Sequence, residues 1–157
     1  MSVTAVTRGT PAGIMLRDGF SSKIAFEDDL TIELWEKTVT PPGFDGGDPI
    51  DITTMWNTTV RTKAARGLYD TTDGSVTCAY DPEMYEAVRA MINVEQIITY
   101  TFADGSTESK YGFLKTFEPS ELSEGSHPEA TVTIVHTNRN PSSQAEEAGT
   151  LVSVAGT

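Results

Sequence analysis

The chain has 157 residues, one cysteine, and 23 acidic against 11 basic residues, giving a net charge of −12. That length fits one domain that can bury roughly 70% of its unfolded surface without a disulfide framework. The acid excess argues against binding nucleic acid through its phosphates, which needs clustered Lys and Arg. No run of 18 apolar residues is present, so no membrane-spanning helix is expected. Residues 1–16 lack the basic region and long apolar core of a secretory signal, so the expectation is a chain made and kept in a cytoplasm, with no membrane partner.

Residues 1–11 are small and polar and read as a flexible arm. Residues 14–16 and 23–26 read as short strands separated by an Asp18-Gly19 turn signal. After a charged turn at 27–29, residues 30–37 alternate, with Leu30, Ile32 and Leu34 opposite Thr31, Glu33 and Trp35, which predicts a third strand. Residues 38–49 hold three prolines and three glycines and read as loop. Two β-prone runs follow, 50–55 and 59–62, interrupted by Asn57 and the basic residues Arg61, Lys63 and Arg66. Residues 38–73 therefore read as one long excursion, and excursions of that length in compact domains usually carry function. Its candidate contact residues are Phe44, Asp45, Asp48, Trp56, Arg61, Lys63 and Arg66.

Residues 75–80 read as a strand with Cys78 as a small buried member. Asp81 is a good N-cap, Pro82 suits the first helical position, and Glu83 faces the positive end of the helix dipole. Met84, Val88 and Met91 then recur at helical spacing, predicting a helix over about 81–92, ended by Asn93. Residues 94–117 read as a hairpin around a two-residue Asp104-Gly105 turn. Val94, Ile98, Tyr100 and Phe102 share one face of its first strand, while Glu95, Thr99 and Thr101 share the other. In the return strand Tyr111, Phe113 and Phe117 form the expected apolar face, broken by Lys115. An acidic connector at 118–127 leads to a last strong strand at 130–136, then to a polar tail with a β-prone patch at 151–154. The sum is an α+β fold, mostly an antiparallel β-sandwich or partial barrel with one flanking helix.

No catalytic or metal-binding constellation stands out. The only histidines are His127 and His136, and no Gly-x-Ser-x-Gly elbow is present. Asp45, Asp48 and Asp51 are spaced three apart, unlike the alternating ligands of an EF-hand loop. The expectation is a non-enzyme without cofactor or metal.

The order of segments from Ser75 to Asn138 carries a resemblance. A strand runs into the Asp81-Pro82 helix start. The Asp-Gly hairpin follows, with Tyr111-Gly112-Phe113-Leu114 in its return strand. An ATVTIV strand ends in Thr137-Asn138. In this the chain resembles the major tail (tail tube) proteins of long-tailed bacteriophages and related phage-derived particles, over about 65 of its residues. The resemblance implies a structural subunit of the virion tail, assembled in the host cytoplasm. It implies self-association into hexameric rings stacked as a tube. It also implies contacts with tape measure, tail terminator and tail tip proteins, and transient passage of double-stranded DNA without specific binding. The stretch after Asn138 is too short for the extra immunoglobulin-like domain that some members carry. On this reading the 38–73 excursion reaches between rings, and Glu95, Thr99, Thr101 and Glu108 are the candidate lumen-facing residues. An acidic wall would repel DNA over only about 8 Å at cellular salt. Two alternatives are a tail terminator or other tail component of related fold, and a β-sandwich host-binding module whose pocket Trp35 and Trp56 would line.

Overall fold

The structure is a computed structural model that describes residues 22–30, 32 and 34–152. The expected N-terminal arm, the expected strand at 14–16 and the last residues of the tail lie outside them. The described elements are β1 (Lys23–Phe26), β2 (Glu36–Thr40), β3 (Phe44–Asp45), β4 (Ile50–Asp51), β5 (Lys63–Ala64), β6 (Asp70–Thr71), β7 (Gly74–Ala79), a 3-10 turn (Pro82–Met84) running into α1 (Tyr85–Ala90), β8 (Gln96–Thr101), β9 (Thr107–Pro119), β10 (Glu129–Thr137) and β11 (Thr150–Val152). The fold is mostly antiparallel β with a single short helix among the described residues, as expected.

One seven-stranded sheet runs β1-β8-β9-β10-β7-β2, and β11 extends the β10 side of β9. Its two edges curl toward each other: Cα atoms of β1 and β2 come within 8 Å. The gap is bridged by a side chain, Ile24 N–H donating to Glu36 Oε1 at 3.1 Å, so the barrel stays open. Strict alternation along β7, β8 and β10 buries every second residue, the mark of a sheet with one packed face. That face supplies Ile24, Phe26, Val76, Ile98, Tyr100, Leu114, Val132 and Ile134. The helix lies across it with Val88 and Met91 fully buried. Asp81 caps the 3-10 turn that leads into it, accepting from Glu83 N–H at 3.0 Å, and Asn93 follows it at a positive φ of 62°.

The expected strand at 30–37 begins instead at Glu36 and runs to Thr40. Ile32 and Leu34 do enter the core, but Leu30 is exposed. The prolines that broke the pattern start only at Pro41, leaving Thr38, Val39 and Thr40 free to pair with β7.

The central hairpin differs in two ways. Its turn spans residues 103–105, closed by Gly105 N–H to Phe102 O at 3.0 Å and Phe102 N–H to Ser106 O at 2.8 Å. Gly105, at φ 89°, is the left-handed residue that a three-residue loop requires. In β9 the buried residues are Lys110, Gly112 and Leu114, while Tyr111 and Phe113 lie on the other face and Phe117 returns to the core. A register shift opposite Thr133/Ile134 leaves Lys115 unpaired, and a one-residue bulge flips every side chain beyond it.

Candidate functional site

Two surfaces have no evident role in folding. The first is the excursion, which forms an arm continuing the β2–β7 hairpin beyond the sheet. Its rungs are the two-residue ladders β3–β6 and β4–β5. The turns between are held by short side chains. Asp45 accepts from Gly47 N–H at 2.9 Å, and Asp51 from Thr53 N–H at 3.0 Å. At the tip Asn57 Nδ2 donates to Val60 O at 2.9 Å and to Thr62 Oγ1 at 2.7 Å. Hydrogen bonds from Thr53, side chain first, together with Arg61, hold the Asp51 carboxyl below its ordinary range. The aspartates thus serve the turns, and no metal-holding cluster occurs among the described residues.

The arm leaves its apolar side chains in solvent. Met55 is 101% exposed, Trp56 92% and Leu68 85%. Arg61 and Lys63 stand at the far rungs, and Arg66 Nε donates to Asp48 O at 2.6 Å. At the root, Phe44 packs edge-on against Tyr69 with centroids 5.4 Å apart. The Lys110 ammonium sits over the Phe44 ring at 4.1 Å and 2.8 Å from Glu108 Oε1. All seven residues expected in the excursion are therefore on this arm, with Phe44 at its base and Trp56 at its tip.

The second surface is the open face of the sheet. Cross-strand partners share a face, so the registers assemble rows. Thr40, Ser75, Thr133 and Thr116 form one, and Thr38, Thr77 and Thr131 run beside it. Thr99 pairs with Ser109 and Thr101 with Thr107, and the Thr99 and Ser109 hydroxyls lie 3.0 Å apart. Ile97, Tyr111, Phe113 and Val135 make an apolar stripe between these hydroxyl patches.

The four expected lumen residues do not share a face. Thr99 and Thr101 lie on the hydroxyl face. Glu108 pairs across from buried Tyr100, so it points to the packed side, where Lys110 neutralises it. Glu95 lies just before β8 and is held by Arg139 Nη2 at 2.7 and 2.8 Å. Trp35 and Trp56 do not line one pocket. Trp35 borders an open groove with Tyr80, Pro82 and His127, while Trp56 stands at the arm tip.

The sequence reads His136 as a solvated or packed histidine on the face of Val132 and Ile134, and the structure packs it. It is 5% exposed, its Nε2 shares a 2.8 Å hydrogen bond with the Tyr100 hydroxyl, and burial pushes its imidazole down to about 4. Gly74 gives this pair its space, since a Cβ there would meet Tyr100 Oη at 2.2 Å. The alternation of residues 130–136 carried the signal, because it puts position 136 on the buried parity.

No family model matches the sequence, and no curated protein matches it. Solved structures do. A chain of the cryo-EM structure of the anti-feeding prophage (AFP) baseplate, 6-fold symmetrised, aligns with a TM-score of 0.59 at 9% identity, covering 97% of each chain. A chain of an extracellular contractile injection system, the PVC sheath-tube complex in extended state, aligns with a TM-score of 0.55 at 11% identity, covering 85% of this chain and 88% of that one. At such identities the likeness is one of fold.

Proposed function

We propose that this chain is a structural subunit of a phage-tail-like tube, forming six-membered rings that stack, with the arm of each subunit contacting another. The observation that carries this reading is the arm. Residues 44–63 are exposed throughout, and that stretch projects Met55, Trp56 and Val60 into solvent. Large apolar side chains left in solvent this close together in sequence mark a candidate interaction site. The fold shared with a sheath-tube complex and with a six-fold baseplate supports a ring-forming role. The hydroxyl face is then the natural wall for a conduit. Among the described residues it carries no row of cations to hold DNA phosphates, and Thr99 and Thr101 belong to it. Such a subunit needs no catalytic group, cofactor or metal.

A second reading rests on the baseplate neighbour: a ring component, such as a terminator, that does not polymerise. Negative-stain imaging of the purified protein separates the two. Stacked tubes are expected; single rings would favour the second reading. A strictly monomeric protein at high concentration, even with a tail-tip initiator supplied, would overturn both.

A further inference from the structure

The arm is joined to the sheet by an interrupted ladder. β2 ends at Thr40 and β3 begins at Phe44, while β6 ends at Thr71 and β7 begins at Gly74. Residues 41–43 and 72–73 lie between, and Pro41 and Pro42 have no N–H to carry strand pairing across. Thr72 N–H donates to Gly43 O at 3.0 Å and Gly43 N–H to Thr72 Oγ1 at 2.7 Å. A short break at the ends of two strands is where a hinge absorbs backbone rotation.

The root of the arm does not rest on a packed surface. A cavity of about 240 Å³ is lined by Phe44, Leu68 and Tyr69 of the arm, by Lys110 and His136 of the sheet and by Gly149 of the tail, among others. Arm and sheet meet there through the Lys110 ammonium, 4.1 Å from the centroid of the Phe44 ring. Lys110 is held in place for that contact. Its side chain is 5% exposed, and the tail lies so close to its stem that a Cβ on Gly149 would come within 2.3 Å of Lys110 Cγ. Its Nζ is 2.8 Å from Glu108 Oε1 but finds no well-directed hydrogen-bond acceptor. A buried ammonium needs compensation, and a desolvated cation gains most from an aromatic face.

We infer that the arm is hinged at residues 41–43 and 72–73, and that Lys110 is the latch that fixes its angle by gripping Phe44 from the sheet. Latched, the arm holds Met55 and Trp56 in one direction, which lowers the ordering cost of a contact made through them. That consequence rests on the self-assembling reading above; the latch belongs to the single chain.

The test places spin labels at Thr58→Cys on the arm tip and Glu83→Cys before α1, both exposed positions, with the native Cys78 buried. Pulsed electron paramagnetic resonance then gives the distribution of distances between them. Phe44→Leu removes the ring and keeps the Lys110–Glu108 pair. Lys110→Met with Glu108→Gln removes the cation and leaves no unpaired carboxylate. Each is expected to broaden the distribution, and all three substitutions together no further, because they delete the same contact. Tyr69→Leu, which leaves the ammonium over the ring, is expected to keep the parent's width. Circular dichroism and melting check folding; if the Lys110 variant does not fold, Phe44→Leu, at a position 64% exposed, decides. Variants as narrow as the parent, a parent as broad as the variants, or equal broadening by Tyr69→Leu would each overturn the latch. Light scattering on the same proteins keeps the two readings apart. Broadened distances in a chain that never associates leave the latch standing and the tube reading fallen, while unchanged distances in a parent that forms tubes do the reverse.

Discussion

The rolled sheet and the arm are built from the same hairpin, β2 leading out and β7 leading back, yet they obey different rules. In the sheet β9 runs for 13 residues and β10 for nine, every second side chain of β7, β8 and β10 is buried, and a helix covers the packed face. In the arm no ladder exceeds two residues, and its large apolar side chains face water. A two-stranded hairpin alone is marginal in water. The Asp45, Asp51 and Asn57 turns order the arm's backbone, but beyond the Phe44–Tyr69 pair at its root the large side chains Met55, Trp56 and Leu68 stay exposed. The sheet is thus explained within the chain, whereas the arm leaves those three side chains in solvent.

The sharpest contrast is between Leu114→Ala and any truncation on the arm. Leu114 is fully buried beneath the helix, with Asn93 N–H donating to its carbonyl at 3.1 Å. Deleting its side chain is expected to cost about 2–5 kcal/mol of folding stability through lost burial and a residual cavity. Urea unfolding measures this, and a loss below about 1 kcal/mol would mean that the helix does not seal the core.

A second, smaller effect is expected at the polar end of the core, beneath the arm's root. His136 there faces Tyr100, Lys110, Glu108 and Asp73. Its pKa is held near 4 in the folded state, by burial first and by Lys110 further, against 6.5 in its ordinary state. The unfolded chain therefore binds the proton more readily. Stability from this group is complete above about pH 6.5 and is lost as pH falls toward 4. Between pH 7 and 4.5 the loss is about 2–3 kcal/mol. His136→Phe removes that component, so its unfolding free energy should fall less steeply over the same range. Equal slopes for parent and variant would show that His136 is protonated without penalty. An arm residue such as Asp51, its side chain 50% exposed, contributes a smaller dependence because solvent screens it.

The same division decides what was legible in the sequence. Period-2 alternation found β7, β8 and β10, because there burial and pattern coincide, and the Asp81-Pro82 start found the helix. The pattern misled in β9. Tyr111 and Phe113 are the obvious apolar parity, but the packed face takes Gly112, which leaves room for His136, and Lys110, which reaches Glu108 and Phe44. A bulge at Lys115 then reverses the parity for Phe117. Glu108 was misplaced for the same reason: in isolation a carboxylate reads as solvent-facing, and only the cross-strand pairing with Tyr100 reveals its side. The arm was visible as an excursion through its prolines, glycines and cations. Its ladders were not, since two-residue rungs have no periodicity to detect. The rows of hydroxyls were equally hidden, because they arise only when four strands are set in register.

Trp56→Ala gives the smallest expected effect on folding and so tests the arm's half of the comparison most directly. The indole is 92% exposed, and its recorded contact is backbone, Trp56 N–H to Thr54 Oγ1 at 3.3 Å, which alanine preserves. Surface substitutions of this kind stay within about 0.5 kcal/mol, so the melting curve of the variant should overlay that of the parent. An interface anchor behaves otherwise: aromatic residues at the centre of a contact commonly carry about 2 kcal/mol or more of association. The variant should therefore fold normally and assemble poorly, with the tube-forming concentration raised by an order of magnitude. A loss of folding stability instead would place Trp56 in an intrachain contact and return the arm to the sheet's rules.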